Sequence, residues 1–394
     1  MGFAGTRGVW LGALLGLVLA AGCRAPRVYV STPGPYDRIP EEWRQELRLV
    51  RLSFENGDLR RAHERLWTLA VSRPEVLPVR LMLQDLQLAR LGTGRDLDGD
   101  VPEGADTEET LADVYRQRAE VQPTTIELVL AARLVTDGEE ALELLDKALA
   151  LDPGCVWVHY GAAFWNARLR RFPEARAAIE RAFRLDSGHL PTMRLHASLL
   201  ARAGDTVGAL DVLELWLERS EGDPLVDPAR REEAKVDLAA LHVIDSDPRG
   251  ALRALEELDR GRLADPARAD LVEAVAFADL GRRGEALAAA QSAKALAPES
   301  ILALVHQALL FAAEGDAAGE RSTWELLLRE ADERRADEAS TGPPPDSEAG
   351  AGAGEPAPLD FADLLLELRA HARLERIERA ERAELARTGS GIEP

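Results

Sequence analysis

The side chains able to carry reactive or metal chemistry are few and scattered. Cys155 stands four residues before His159 in "CVWVHYGAAFW", a spacing that puts both on one face of a helix. A thiolate and an imidazole so placed are half of a structural zinc site, which takes four ligands, and no second pair stands near them. The seven histidines fall at 63, 159, 189, 196, 242, 306 and 371, and none belongs to an HExxH, CxxC or GxSxG pattern. Acidic pairs such as Glu139 and Glu140 are interspersed with arginine and lysine and read as solvated helix faces, not as an acid and its base. The run "DLDGD" has calcium-loop residues in the wrong order, because Gly99 precedes Asp100 and Thr107 stands where the closing glutamate belongs. No catalytic residue, metal site or cofactor is read from the chain, and a non-enzyme is expected.

The other cysteine has a different setting. "LLGLVLAAGC", residues 14 to 23, follows a segment whose only charged side chain is Arg7. The apolar run is shorter than the ~20 residues a spanning helix needs, and a weakly basic start, apolar middle and small-residue end mark an export signal. "LAAGC" resembles the lipobox of bacterial lipoproteins, departing from it at Ala20, where the family prefers leucine. The resemblance implies a signal peptide over 1–22, acylation of Cys23 and anchoring through more than one chain. With Arg24 rather than aspartate after the cysteine, it further implies an outer-membrane lipoprotein facing the periplasm. Cys155 would then have no partner for a disulfide. The formal charge of −21, from 69 acidic against 48 basic residues, disfavours nucleic acid.

The elements that position these residues follow from a repeat. In "DGEEALELLDKALALDPG", Ala141, Leu145, Ala148 and Pro153 stand at offsets 0, 4, 7 and 12; adding 34 gives Ala175, Ile179 and Ala182, and adding 34 again gives Ala209, Leu213 and Trp216. The same spacing recurs at Ala62, Leu66 and Leu69, at Ala251, Leu255 and Leu258, and at Ala286, Ala290 and Ala293. Offsets of 0, 4 and 7 lay an apolar stripe along one helix face. A glycine five residues earlier suits a tight turn from a preceding helix, and a proline beyond the last turn stops the second. Each copy is a helix hairpin too small to stand alone, so neighbours stack.

These features resemble the tetratricopeptide family over about residues 43 to 330, with Trp157, Tyr160, Gly161 and Phe164 at the family's first-helix spacings. Relative to its second helix that first helix sits about two residues early, which predicts a longer turn at "NARLRR". The resemblance implies an all-α, right-handed superhelical solenoid of antiparallel helix hairpins, about eight in number. Its concave groove would receive an envelope protein or peptide. The family's inner-face positions fall on Pro191, Arg194, Ser198, Ala201 and Arg202; Tyr160 and Trp165 stand open between groove and core, and Trp157 and Phe164 read as core.

Around the solenoid, residues 23–42 are expected as a tether or as a strap against the first repeat, 93–109 as an acidic insertion, 222–233 as a proline-rich joint, 331–358 as a disordered linker and 359–388 as a C-terminal helix. The function read from all this is a non-catalytic protein-protein interaction scaffold of the cell envelope, held to the membrane by the Cys23 lipid. One alternative is a repeat protein that binds glycan or cell-wall fragments, which calls for several exposed aromatic rings. The other is an enzyme in a helical repeat, which calls for a groove carboxylate pair with separated pKa values.

Overall fold

The computed structural model describes residues 34, 36–93, 105–223, 225–297, 302–341 and 361–389. The export signal, Cys23, "DLDGD" and positions 342–358 of the expected linker lie outside the described residues.

Among the described residues the chain is helical throughout and pairs its helices in order. The hairpins are α1 (Trp43–Glu55) with α2 (Leu59–Ser72), α3 (Leu77–Thr93) with α4 (Glu108–Val121), α5 (Thr125–Leu134) with α6 (Gly138–Leu151), and α7 (Val156–Arg168) with α8 (Phe172–Leu185). They continue as α9 (Leu190–Arg202) with α10 (Thr206–Ser220), α11 (Pro228–Ile244) with α12 (Pro248–Glu256), α13 (Pro266–Asp279) with α14 (Arg283–Leu296), and α15 (Leu302–Glu314) with α16 (Ala317–Thr341). Apart from α3 and α4, each helix packs on its hairpin partner; each second helix packs on the first helix of the next hairpin, and first helices touch first helices, as in α3 with α5 or α11 with α13. This is an all-α solenoid of antiparallel helix pairs. None of these helices is long and apolar enough to cross a membrane.

The periodic alanines explain the close stacking. Ala62, Ala141, Ala175, Ala209, Ala251 and Ala286 are each 2% exposed or less, and a larger side chain there would push the two helices of a hairpin apart. The aliphatic positions one turn on, such as Leu66, Ile179 and Leu213, are buried with them and join the hairpins into extended cores.

The turns share one geometry. Gly57, Gly204, Gly281 and Gly315 sit at the helix-to-helix corner with φ between 72° and 82°, the left-handed region that glycine enters without steric cost. Arg170 occupies that corner in "NARLRR" with φ 60°, and Ser246 does so with φ 66°. The hydrogen bonds are the same as at the glycine corners: Arg170 and Arg171 donate to the carbonyls of Ala167 and Asn166, as Gly204 and Asp205 donate to those of Ala201 and Leu200. The turn expected to be longer therefore has ordinary length, and it carries an arginine where its neighbours carry glycine.

Both flanks of the solenoid differ from expectation. The last second-helix, α16, runs on to Thr341, so the first eleven positions expected as linker, 331–341, are helical. Beyond position 360, α17 (Phe361–Gly389) returns to lie on α11, α13 and α16. It buries Leu365, Ala370 and Ile377 and makes ion pairs from Arg369 to Asp279, from Arg373 to Glu320 and from Glu381 to Arg321. At the other end, residues 36–40 run without regular structure into the concave side before α1 begins.

Candidate functional site

The first helices of successive hairpins face one another across a chamber of about 800 Å³, within the ~300–1,000 Å³ range of ligand sites. Its walls come from α1 (Arg51, Phe54), α3 (Met82, Asp85), α5 (Arg133), α7 (Trp157, Tyr160, Phe164, Trp165) and α9 (Arg194), with Trp216 of α10 behind them.

Two irregular segments add to the lining. The stretch 36–39 lies along one side: the Leu77 amide donates to the Tyr36 carbonyl at 3.0 Å, and the Tyr36 phenol faces Asp152 and Thr125. Burial first, and the Asp152 carboxylate second, raise the phenol's pKa. Next to it the Trp157 indole N–H donates to the Asp37 carboxylate at 2.5 Å, and Ile39 packs on the core of the first hairpin. The expected strap therefore reaches past the first repeat to α5 and α7. The second is the joint after α10, where Asp223 accepts from the Leu225 amide at 2.8 Å and Leu225 packs, like Ile39, on the cluster shared by α1, α2 and α3. The joint between the fifth and sixth hairpins is thus brought back to the start of the stack.

An aromatic cluster forms the floor. Trp157 meets His189 edge-on at 4.4 Å between ring centroids and Tyr160 at 5.9 Å. The imidazole Nδ1 of His189 is 2.6 Å from the Thr192 hydroxyl and accepts from the Thr192 amide at 3.3 Å, so the side chain serves as the N-cap of α9. Burial pushes its pKa down to about 3, and it stays neutral at physiological pH. Asp37 moves the other way: burial, with Asp186 adding repulsion, lifts it to about 6 against the Trp157 hydrogen bond. Its second carboxyl oxygen is buried without a partner.

Polar struts hold the first helices in register. Arg80 pairs with Glu127 at 2.7 Å, Arg133 with Asp85, and the Trp165 indole donates to the Ala132 carbonyl at 3.1 Å. Farther on, Asp237 of α11 is buried between Arg194 of α9 at 2.8 Å and Arg268 of α13 at 3.1 Å. The Arg194 guanidinium also lies over the Trp216 ring, 5.5 Å from its centroid.

The groove residues expected from the sequence divide. Arg194, Tyr160 and Trp165 line the chamber. Trp165 does so as a buried strut, and the half-buried Tyr160 faces Trp157 and His189. Ser198 is buried, its hydroxyl turned back to the Arg194 carbonyl at 3.3 Å, and Arg202 lies over the Phe172 ring on the neighbouring hairpin. Neither of these two lines the chamber. Trp157 is buried and Phe164 half-buried, and both line it. The spacing missed Asp37, His189 and Leu225, because all three lie outside the helices, where a helix period carries no information.

Cys155 is buried, and desolvation raises its thiol to about 11, so it is not a nucleophile at neutral pH. His159 places its Nε2 2.9 Å from the Pro153 carbonyl. Among the described residues no three His, Cys, Asp or Glu side chains are grouped to hold a metal ion.

No model of a known family matches the chain, and no curated protein matches it. Solved structures do. One reported as YrrB, "a TPR protein with an unusual peptide-binding site", has 23% identity and a TM-score of 0.40 over 49% of this chain and 97% of that one. A tetratricopeptide repeat protein from Parabacteroides merdae has 12% identity and a TM-score of 0.40 over 69% and 100%. The Pseudomonas aeruginosa protein pilF has 18% identity and a TM-score of 0.38 over 58% and 91%. The fold is a tetratricopeptide-like helical repeat. Its concave face gathers apolar, aromatic, arginine and aspartate side chains around one chamber.

Proposed function

We propose that the protein is a scaffold of the bacterial cell envelope, held to the outer membrane by a lipid on Cys23, whose chamber takes a segment of a partner protein. The observation that carries the binding half is the chamber itself, where aliphatic, aromatic and arginine side chains of successive first helices converge on one concave volume. What supports the anchoring half is the "LAAGC" run behind a short apolar segment. The binding half is tested by affinity capture with tagged full chain from envelopes of the native cells, compared with a Tyr160→Ala/Arg194→Ala variant checked for retained helicity. A defined set of proteins that the variant fails to recover supports the reading; identical recovery by both sinks it. The anchoring half is tested by mass spectrometry of the mature amino terminus and by membrane fractionation of Cys23→Ala. An unmodified terminus, or equal membrane partition of the two forms, removes it.

A further inference from the structure

The concave side is treated differently in the two halves of the solenoid. From α1 to α9 the first helices look into the chamber, whereas farther on the chain's own last helix, α17, lies on the first helices α11 and α13 and on α16. A helix that merely capped the stack would cover the open side of the last hairpin. This one reaches back to α11, two hairpins upstream.

Its attachment also differs from that of the hairpins. They close on buried stripes of alanine and aliphatic side chains, such as Ala209 with Leu213 or Ala251 with Leu255. Among the described side chains of α17, Leu365, Ala370 and Ile377 are buried, with Leu374 partly covered beside them. The rest of the contact is charge: Arg369 meets Asp279 of α13, the Arg373 Nε donates to Glu320 of α16 at 2.7 Å, and Arg321 of α16 donates to Glu381. Burial pulls the Arg369 pKa below its ordinary value; Asp279 only partly offsets this, and Arg373 and Arg376 add repulsion. Docking thus desolvates a charge that its pair does not fully compensate, and such a pair adds little net stability.

Both surfaces are provided for when the contact opens. Glu320 keeps a donor on its own helix, the Trp324 indole at 3.3 Å. From Glu375 to Ala383 only Ile377 is buried, and that stretch pairs with itself, Arg379 with Glu375 at 2.8 Å and Arg382 with Glu378 at 3.2 Å. Pairs four residues apart support a helix without any neighbour. The sequence at 342–358, between α16 and α17, is composed only of glycine, alanine, proline, serine, aspartate and glutamate, with no bulky apolar side chain.

We propose that α17 is a releasable latch, which leaves α11, α13 and α16 as an intact helix when its ion pairs are screened or broken, and which while docked keeps the rear half of the concave side closed. What the latch withholds rests on the reading of the concave side as the partner-binding side. The release itself does not.

The test places spin labels at Glu256→Cys on α12 and Glu378→Cys on α17 of the full chain, both exposed positions, with Cys23→Ala so that buried Cys155 is the one remaining native thiol. Double electron-electron resonance reads the separation at about 50 mM and about 500 mM salt, and hydrogen exchange reads the helices. One narrow distance is expected at low salt, and a second, longer population is expected to rise at least threefold at high salt. In Arg369→Glu/Arg373→Glu the longer population is expected to dominate, with circular dichroism unchanged and amide protection of α13, α15 and α16 kept. A labelled peptide of residues 361–389 is expected to bind that variant at least tenfold more tightly than the wild type, whose own tail fills the place. A single distance under every condition, or loss of protection in α15 and α16 whenever α17 leaves, shows a fixed cap and overturns the proposal. So does equal binding of the peptide to both proteins, or to neither. The salt series needs neither arginine replaced, so a variant that misfolds does not shelter the latch. No readout uses a partner or the Cys23 lipid, so failure here and failure of the scaffold reading are told apart.

Discussion

Arg170 is the residue whose backbone least suits its side chain. It stands in the left-handed region at a corner where four other turns have glycine, and its side chain is exposed. A non-glycine residue there costs about 1–2 kcal/mol. Arg170→Gly is therefore expected to raise stability by about 0.5–1 kcal/mol, the added freedom of glycine in the unfolded chain offsetting part of the relief. The urea midpoint followed by circular dichroism checks this, and an unchanged or lower midpoint would count against it. Asp37 makes the second prediction at this scale. Its folded pKa of about 6 lies above the usual 3.8, so the seated segment binds a proton that the released one does not. Seating is favoured most below 3.8, weakens as pH rises through about 6, and is level above that. The groups facing Asp37 are the Trp157 indole, the Asp186 carboxylate and the Gly34 backbone, with neutral His189 against the same indole. The Trp157 indole N–H resonance is expected to titrate near pH 6 in the wild type and to stay flat in Asp37→Asn.

Among the elements, the second helices were the most legible part of the sequence. Alanine at the zero offset is dictated by the distance between two helix axes, and a steric requirement repeated in six of the eight hairpins leaves a repeated letter. The first helices were harder to read because their packing is shared among the hairpin partner, the neighbouring first helix and the chamber, and several residue types satisfy it. Gly161 shows the exception: a Cβ there would come within 3.0 Å of the Leu145 side chain, so the close approach of α6 and α7 selects glycine. The struts were not legible, since a buried ion pair between residues 43 apart, such as Arg194 with Asp237, leaves no local pattern. Breaking that strut has a large expected effect. Asp237→Ala leaves two arginines beside an empty acceptor and should destabilise the fold by about 3 kcal/mol, with the loss of amide protection spread over α9, α11 and α13. A loss confined to α11 would show that the three helices are not coupled through it.

For the molecule as a whole, the two ends of the chain both return to the concave side, residues 36–39 near the start and α17 at the finish. Neither placement follows from periodicity, because each depends on the curvature summed over many hairpins. The contact of Leu225 with the first-hairpin core is the third such return. Leu225→Asp should expose that core and open the chamber, and the check is hydrogen exchange at α1 and α2, far from the mutated position in sequence. Unaltered protection there would mean that the first hairpin is held by α3 alone. A stack of hairpins in which each unit touches only its neighbours melts from its tips inward, like a zipper. By packing the joint between the fifth and sixth hairpins against the start of the stack, Leu225 turns that zipper into a buckled belt. The leading hairpins then do not melt as a free tip: loosening α1 and α2 also disturbs the joint at Leu225, and two places far apart in sequence are expected to come undone together.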